Sequence, residues 1–176
     1  MPRNLRIVST SRPTSPGYFA PSDSASPEDG LMVFDTLLWR FAAQQSYWLA
    51  THSNTPHTMP VWGIWQDCAF RFSTHPDSRK AKNLRQTGTA CVHLADPEAV
   101  FIMECHAQEL SHPSELQAFV DDYNPKYKWD FTPDDVQQGT FALTPHTAYA
   151  WADGQGDRFA STGTRWSLEI EEQTPA

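Results

Sequence analysis

The chain has 176 residues, enough for one domain around one core, and its 7 Trp, 5 Tyr and 10 Phe can fill that core although only 39% of the residues are apolar. A formal net charge of −8 argues against nucleic acid as a partner, because phosphate-backbone binding needs a basic surface. No run approaches the roughly 18 uninterrupted apolar residues of a membrane helix, no secretory leader pattern opens the chain, and three scattered cysteines, Cys68, Cys91 and Cys105, fit reduced thiols; a cytoplasmic protein with no membrane or nucleic-acid partner is expected.

Residues 1–30 hold five of the 14 prolines and six serines but little apolar material, so they read as a mobile Pro/Ser-rich tail that cannot offset its own ordering entropy. The folded domain is expected over 31–176. Phe34, Leu37, Leu38 and Phe41 recur at helical spacing behind Asp35, which predicts an amphipathic helix. The period then changes. Tyr47–Thr51 reads as a strand, 53–56 as a turn, and Thr58–Trp65 as a second strand that Pro60 marks as an edge or bulge. Gln66-Asp67 closes a hairpin onto 68–73, and a short helix from Ser78 ends near Gly88. Strands follow at 89–94 and 100–110. Ser114-x-x-Gln117 has capping-box form and opens a helix with Leu116, Phe119, Val120 and Tyr123 on its apolar face. Two short strands, 139–143 and 147–151, are expected on either side of Pro145, then a polar loop at 154–163 and a closing strand at 164–170. At least six short strands without long helical crossovers predict a small antiparallel barrel.

Of the ten Lys and Arg after residue 30, four fall together: Arg79, Lys80, Lys82 and Arg85. Such a basic focus on an acidic body suits a compact anion. Thr74 and Ser78 bring hydroxyls to a helix N-terminus, where free backbone N–H groups and the positive dipole end also favour negative charge. Arg79 would add a planar fork of donors and Lys80 a point charge. The plainer reading is a solvated basic helix face. Seven histidines invite a metal, but no four ligands have a recognised spacing, and no metal site is expected. Asp121-Asp122 and Asp134-Asp135 are adjacent rather than facing pairs. Tyr47, His52 and His57 are the candidate proton donors should one be needed.

Tyr47–Thr51, Met59–Gly63, Phe72–Thr74 with Ser78–Leu84, Val92–Leu94, Phe101–Glu104 and Thr164–Trp166, in that order along residues 34–170, resemble successive segments of the pyridoxamine 5′-phosphate oxidase-like, FMN-binding split-barrel superfamily. Within it the chain looks most like the flavin- or deazaflavin-dependent oxidoreductases. The resemblance implies a mainly β (α+β) fold: a six-stranded antiparallel split β-barrel with a few short helices, forming a homodimer with cofactor sites at the interface. It implies that Thr74, Ser78, Arg79 and Lys80 hold the cofactor phosphate, with Asn83 behind them, and that Pro60, Val61 and Trp62 border the cofactor ring. Trp151, Arg165 and Trp166 of the other subunit would approach the ring. The implied function is hydride transfer between FMN and an unidentified small-molecule substrate. The deazaflavin coenzyme F-420 is the alternative cofactor, and a non-catalytic flavin- or haem-binding protein the alternative role. Two departures stand out: Cys105 occupies a position where relatives tend to have glycine, and the C-terminal Arg/His set that grips the substrate phosphate in true pyridoxamine 5′-phosphate oxidases is not found.

Overall fold

The computed structural model describes residues 3–13, 30–95, 99–152 and 161–172. Nine strands and three α-helices succeed one another among them: β1 (Arg3–Ser11), α1 (Phe34–Ala42), β2 (Tyr47–His52), β3 (Pro56–Val61), β4 (Ile64–Gln66), β5 (Ala69–Ser73), α2 (Arg79–Thr87), β6 (Thr89–His93), β7 (Ala99–Glu109), α3 (Pro113–Tyr127), β8 (Thr140–Ala152) and β9 (Thr164–Glu172). All pairings are antiparallel, in the order β1-β9-β8-β7-β6-β2-β3, with β5 also on β8 and β4 on β5. The mainly-β expectation holds, but the strand count is nine rather than six. Among the described residues the ladder does not close, since β1, β3 and β4 each have a single strand neighbour.

β8 organises the split. Its first half, Thr140–Leu143, pairs with β5, and its second half, Thr147–Ala150, pairs with β9. Both halves keep β7 on the other edge, with the register shifting between Glu104 and Cys105, which face Thr147 and Pro145 respectively. The two short strands expected around Pro145 are therefore one strand. A bulge at His146 absorbs the proline, which cannot donate to the ladder. It falls opposite Cys105.

The main core lies inside the curled sheet. Phe41, fully buried on α1, packs within 4.6–6.2 Å (centroid to centroid) of Tyr47, Trp65, Phe70 and Phe101; burying a side chain of that size stabilises by about 1.5–3 kcal/mol. A second cluster forms where α3 lays Leu116, Phe119, Val120 and Tyr123 against Ile64, Ala69, Leu110, Val136 and Ala142. The apolar spacing on α3 is as expected, but the cap is not Ser114. His112 is the N-cap, accepting from Ser114 N (3.3 Å), and Pro113 follows at the first helical position, where its missing N–H costs nothing. Trp62-Gly63, not Pro60, breaks the stretch expected as one strand at 58–65; Pro60 sits inside β3, an edge strand, opposite Trp48.

Arg3–Ser11 corrects the expectation of a mobile tail for those residues. They pair along β9, and Arg6 bridges Glu169 and Glu171. Leu5 reaches the main core. Residues 14–29 and most of the expected 154–163 loop lie outside the described residues. No described helix is long and apolar enough to cross a membrane.

Candidate functional site

α2 begins where β5 ends, and the five-residue link between them is tightly held. Thr74 N donates to Gly139 O (2.9 Å), and Ser78 N to His75 O (2.9 Å). Ser78 is the N-cap of α2: its hydroxyl accepts from Ala81 N (3.2 Å) and from Thr74 Oγ1 (3.3 Å). From behind, Arg85 makes a two-point contact with Glu109 (2.7 and 2.6 Å) and donates to Pro76 O (2.6 Å), while Glu109 Oε1 accepts from Gly139 N (2.8 Å). The Arg85 guanidinium accordingly draws the Glu109 carboxyl below its usual range.

The basic cluster divides into two kinds. Arg85 is neutralised by Glu109, and Lys82 lies 3.7 Å from Asp77. Arg79 and Lys80 have no carboxylate partner among the described residues. Exposed Arg79 donates to Thr55 Oγ1 in the β2–β3 turn. Lys80 is half-buried, and burial lowers its ammonium below the ordinary lysine value. His57, on neighbouring β3, is also lowered, first by burial and then by the Arg79 and Lys80 charges. Three cationic or proton-accepting groups thus lie near one another, and no described carboxylate pairs with Arg79 or Lys80.

Beside this cradle lies a cavity of about 320 Å³, lined by Pro60, Val61, Trp62, Ser73, Thr74, Lys80 and Tyr123. That size is typical of a small-molecule site. It brings five of the expected site residues to one place: Pro60, Val61 and Trp62 on the β3 side, Thr74 and Lys80 on the α2 side. Ser78 caps the helix at its edge. Arg79 does not line the cavity.

The other expected residues are elsewhere. Asn83 is buried and donates to Thr51 Oγ1 (3.1 Å), tying α2 to β2. Trp166 corrects its expected role: it is 2% exposed, edge-on to Phe34 (5.3 Å) and Phe101 (6.4 Å), and belongs to the core of its own chain. Trp151 on β8 and Arg165 on β9 are half-buried; Arg165 lies over Tyr149 (6.0 Å). Neither lines the cavity within one chain. Among the proton-donor candidates, Tyr47 is buried with its hydroxyl donating to backbone carbonyls, and His52 contacts Thr89 Oγ1 (3.2 Å). Tyr123 is a wall residue that sequence reasoning assigned to the core alone. Its place in the apolar repeat of α3 hid its second role.

The fold and site together define an antiparallel split-sheet protein with a capped helix N-terminus beside a cavity. The chain belongs to the pyridoxamine 5′-phosphate oxidase family, whose profile matches residues 36–152. No curated protein matches it. Solved structures share its fold. A conserved hypothetical protein from Mycobacterium tuberculosis is 18% identical with a TM-score of 0.61, covering 73% of this chain and 90% of its own. PhzG from Burkholderia lata, solved in complex with tetrahydrophenazine-1-carboxylic acid, is 18% identical with a TM-score of 0.57, covering 90% and 100%. An FAD-binding protein from Mesorhizobium loti is 11% identical with a TM-score of 0.55, covering 80% and 96%.

Proposed function

We propose that the protein is a flavin-dependent oxidoreductase that binds FMN in this cavity and exchanges a hydride with a small-molecule substrate. The observation that carries the reading is the half-buried Lys80, unpaired with any described carboxylate, in one cavity with Thr74 and the Pro60–Trp62 wall. The donor set fits a phosphate monoester: an ammonium, two hydroxyls and the free N–H groups of the first turn of α2. Family membership and the FAD-binding neighbour support the same reading.

When bound, a flavin supplies the hydride chemistry on its own ring. The protein has to bind, orient and exclude water. Lys80 and the Thr74–Ser78 link would hold the phosphate of a bound FMN at the α2 end of the cavity. Pro60, Val61 and Trp62 border the ring, and Tyr123 closes the wall toward α3. No side chain is required as a general acid; His57, on β3 near Arg79 and Lys80, has its affinity for protons lowered by burial and by those two charges. A homodimer with Trp151 and Arg165 reaching the partner's cavity would complete the pocket, and a cytoplasmic location accords with the reduced thiols. The test is the absorbance spectrum of purified protein titrated with FMN, then with a nicotinamide donor. A perturbed flavin band that bleaches with donor and recovers with an acceptor is expected; FMN bound tightly without turnover would make the protein a carrier, and a preference for the deazaflavin coenzyme would change the cofactor.

A further inference from the structure

An exposed aromatic wall residue of the cavity, Trp62, is held by a device that neither the phosphate cradle nor the main core needs. Trp62 is 48% exposed, yet its indole stacks on Tyr127 with centroids 5.2 Å apart and planes only 2° from parallel. The next residue, Gly63, is gripped on both sides of its backbone by the last turn of α3. Its N–H donates to Tyr127 Oη (2.9 Å), and its carbonyl accepts from Lys126 Nζ (2.9 Å), with Tyr127 Oη 2.8 Å away. Tyr127 Oη also lies 2.9 Å from Gln45 O, and Lys126 Nζ reaches Ala42 O (3.2 Å) and Tyr47 Oη (3.0 Å). On Gly63's other side there is no slack, since an added β-carbon would lie 2.3 Å from the Phe70 ring and 2.7 Å from Arg71 O.

A half-exposed tryptophan ordinarily samples several rotamers and loses that freedom on binding. Here the backbone beneath it is fixed, and one indole face is already covered by a parallel ring. We infer that Trp62 is a preset stacking wall for a planar heteroaromatic ring in the cavity, and that Lys126 and Tyr127 are the positioning residues that hold it there. This rests on the cavity being the cofactor site proposed above. It extends the part of α3 that serves the site from Tyr123, already a cavity wall, to the last turn of the helix. Offset stacking on the preset face adds to affinity without an ordering cost.

The test uses the full chain labelled with 5-fluorotryptophan, with the Trp62 fluorine resonance assigned by loss in Trp62→Phe, and FMN as the probe. Tyr127→Phe keeps the ring but removes the phenol's bonds to Gly63. Lys126→Met keeps the stem and removes the ammonium. Both variants are first checked for wild-type-like thermal unfolding and for the unchanged resonances of the other tryptophans. The expected result is a Trp62 resonance that shifts on FMN addition in the wild type, is shifted or broadened in both variants before any ligand, and accompanies an FMN affinity about tenfold weaker. A Trp62 resonance identical in wild type and both variants overturns the positioning role. FMN binding that leaves the wild-type resonance unmoved overturns the stacking wall while the cofactor reading stands. Absence of binding by FMN and by the deazaflavin coenzyme overturns both.

Discussion

Lys80 differs from the other cations of its helix by what it lacks. Lys82 and Arg85 have carboxylates within 3.7 and 2.6 Å, and Arg79 is turned to Thr55. An ammonium held half-buried without an acid is stabilised when an anion arrives, so Lys80→Ala should weaken FMN binding by about 1.5–3 kcal/mol, roughly tenfold or more. Gly139 makes a second point. It has φ +85°, and a β-carbon there would lie 2.1 Å from Thr74 O. Gly139→Ala should therefore push the cradle loop aside, lowering stability by about 1–3 kcal/mol in chemical denaturation and weakening FMN binding together with it; unchanged binding would show that the loop's position is not what holds the phosphate. Thr74 and Lys80 were legible in the sequence because they lie six residues apart, on one strand-to-helix link. Lys126 and Tyr127 were not, because their contacts with Gly63 join positions 63 and 64 residues apart and no local pattern encodes such a meeting.

At the scale of elements, α1, α2, β2 and β5 follow from periodicity, capping and turn residues, signals that act within a few positions, whereas the break between β3 and β4 does not. Nor do β8 and β1. Pro145 reads as a separator, yet the bulge at His146 lets β7 and β8 keep pairing past it. β1 has too little apolar surface to predict a strand, and what orders it is the neighbouring β9 with its two glutamates facing Arg6. The junction of α3 with β2 and the Trp62-Gly63 turn carries a pH dependence. Burial lowers Lys126 to about 8 from 10.5, and the groups facing it are Tyr47 on β2, raised by burial, and Tyr127 on its own helix, also raised. Between those two values the unfolded chain keeps a proton on Lys126 that the folded chain has lost, so stability from this group rises with pH. Above about 9 the opposite contribution sets in, because the unfolded chain ionises the Cys91 and Cys105 thiols, and then tyrosines, that the fold keeps protonated. Measured from pH 8 to 10.5, the denaturation midpoint of the wild type should gain on that of Lys126→Met as the pH rises; a flat difference between the two would deny Lys126 its lowered affinity for protons.

For the whole molecule, the family and the split sheet agree on architecture, and assembly is where the chain alone stops. Residues of β6, β7, β8 and β9 that are only half-buried include His93, Ile102, Tyr149, Trp151 and Arg165, and the proposed homodimer would place its second copy there. The proposed shared pocket requires a dimer, and light scattering at micromolar concentration should give twice the 19.9 kDa chain mass. A monomer would leave Trp151 and Arg165 without a role at the cavity.

The most direct measurement compares dissociation constants for FMN and for riboflavin, which differs from FMN only in lacking the phosphate, in wild type and in Lys80→Ala. If the Thr74–Lys80 link is the phosphate cradle, the wild type prefers FMN by about tenfold or more, and the variant loses most of that preference while its affinity for riboflavin stays nearly unchanged. Equal wild-type affinity for the two ligands, or a preference that survives the substitution intact, would contradict the assignment of this cavity.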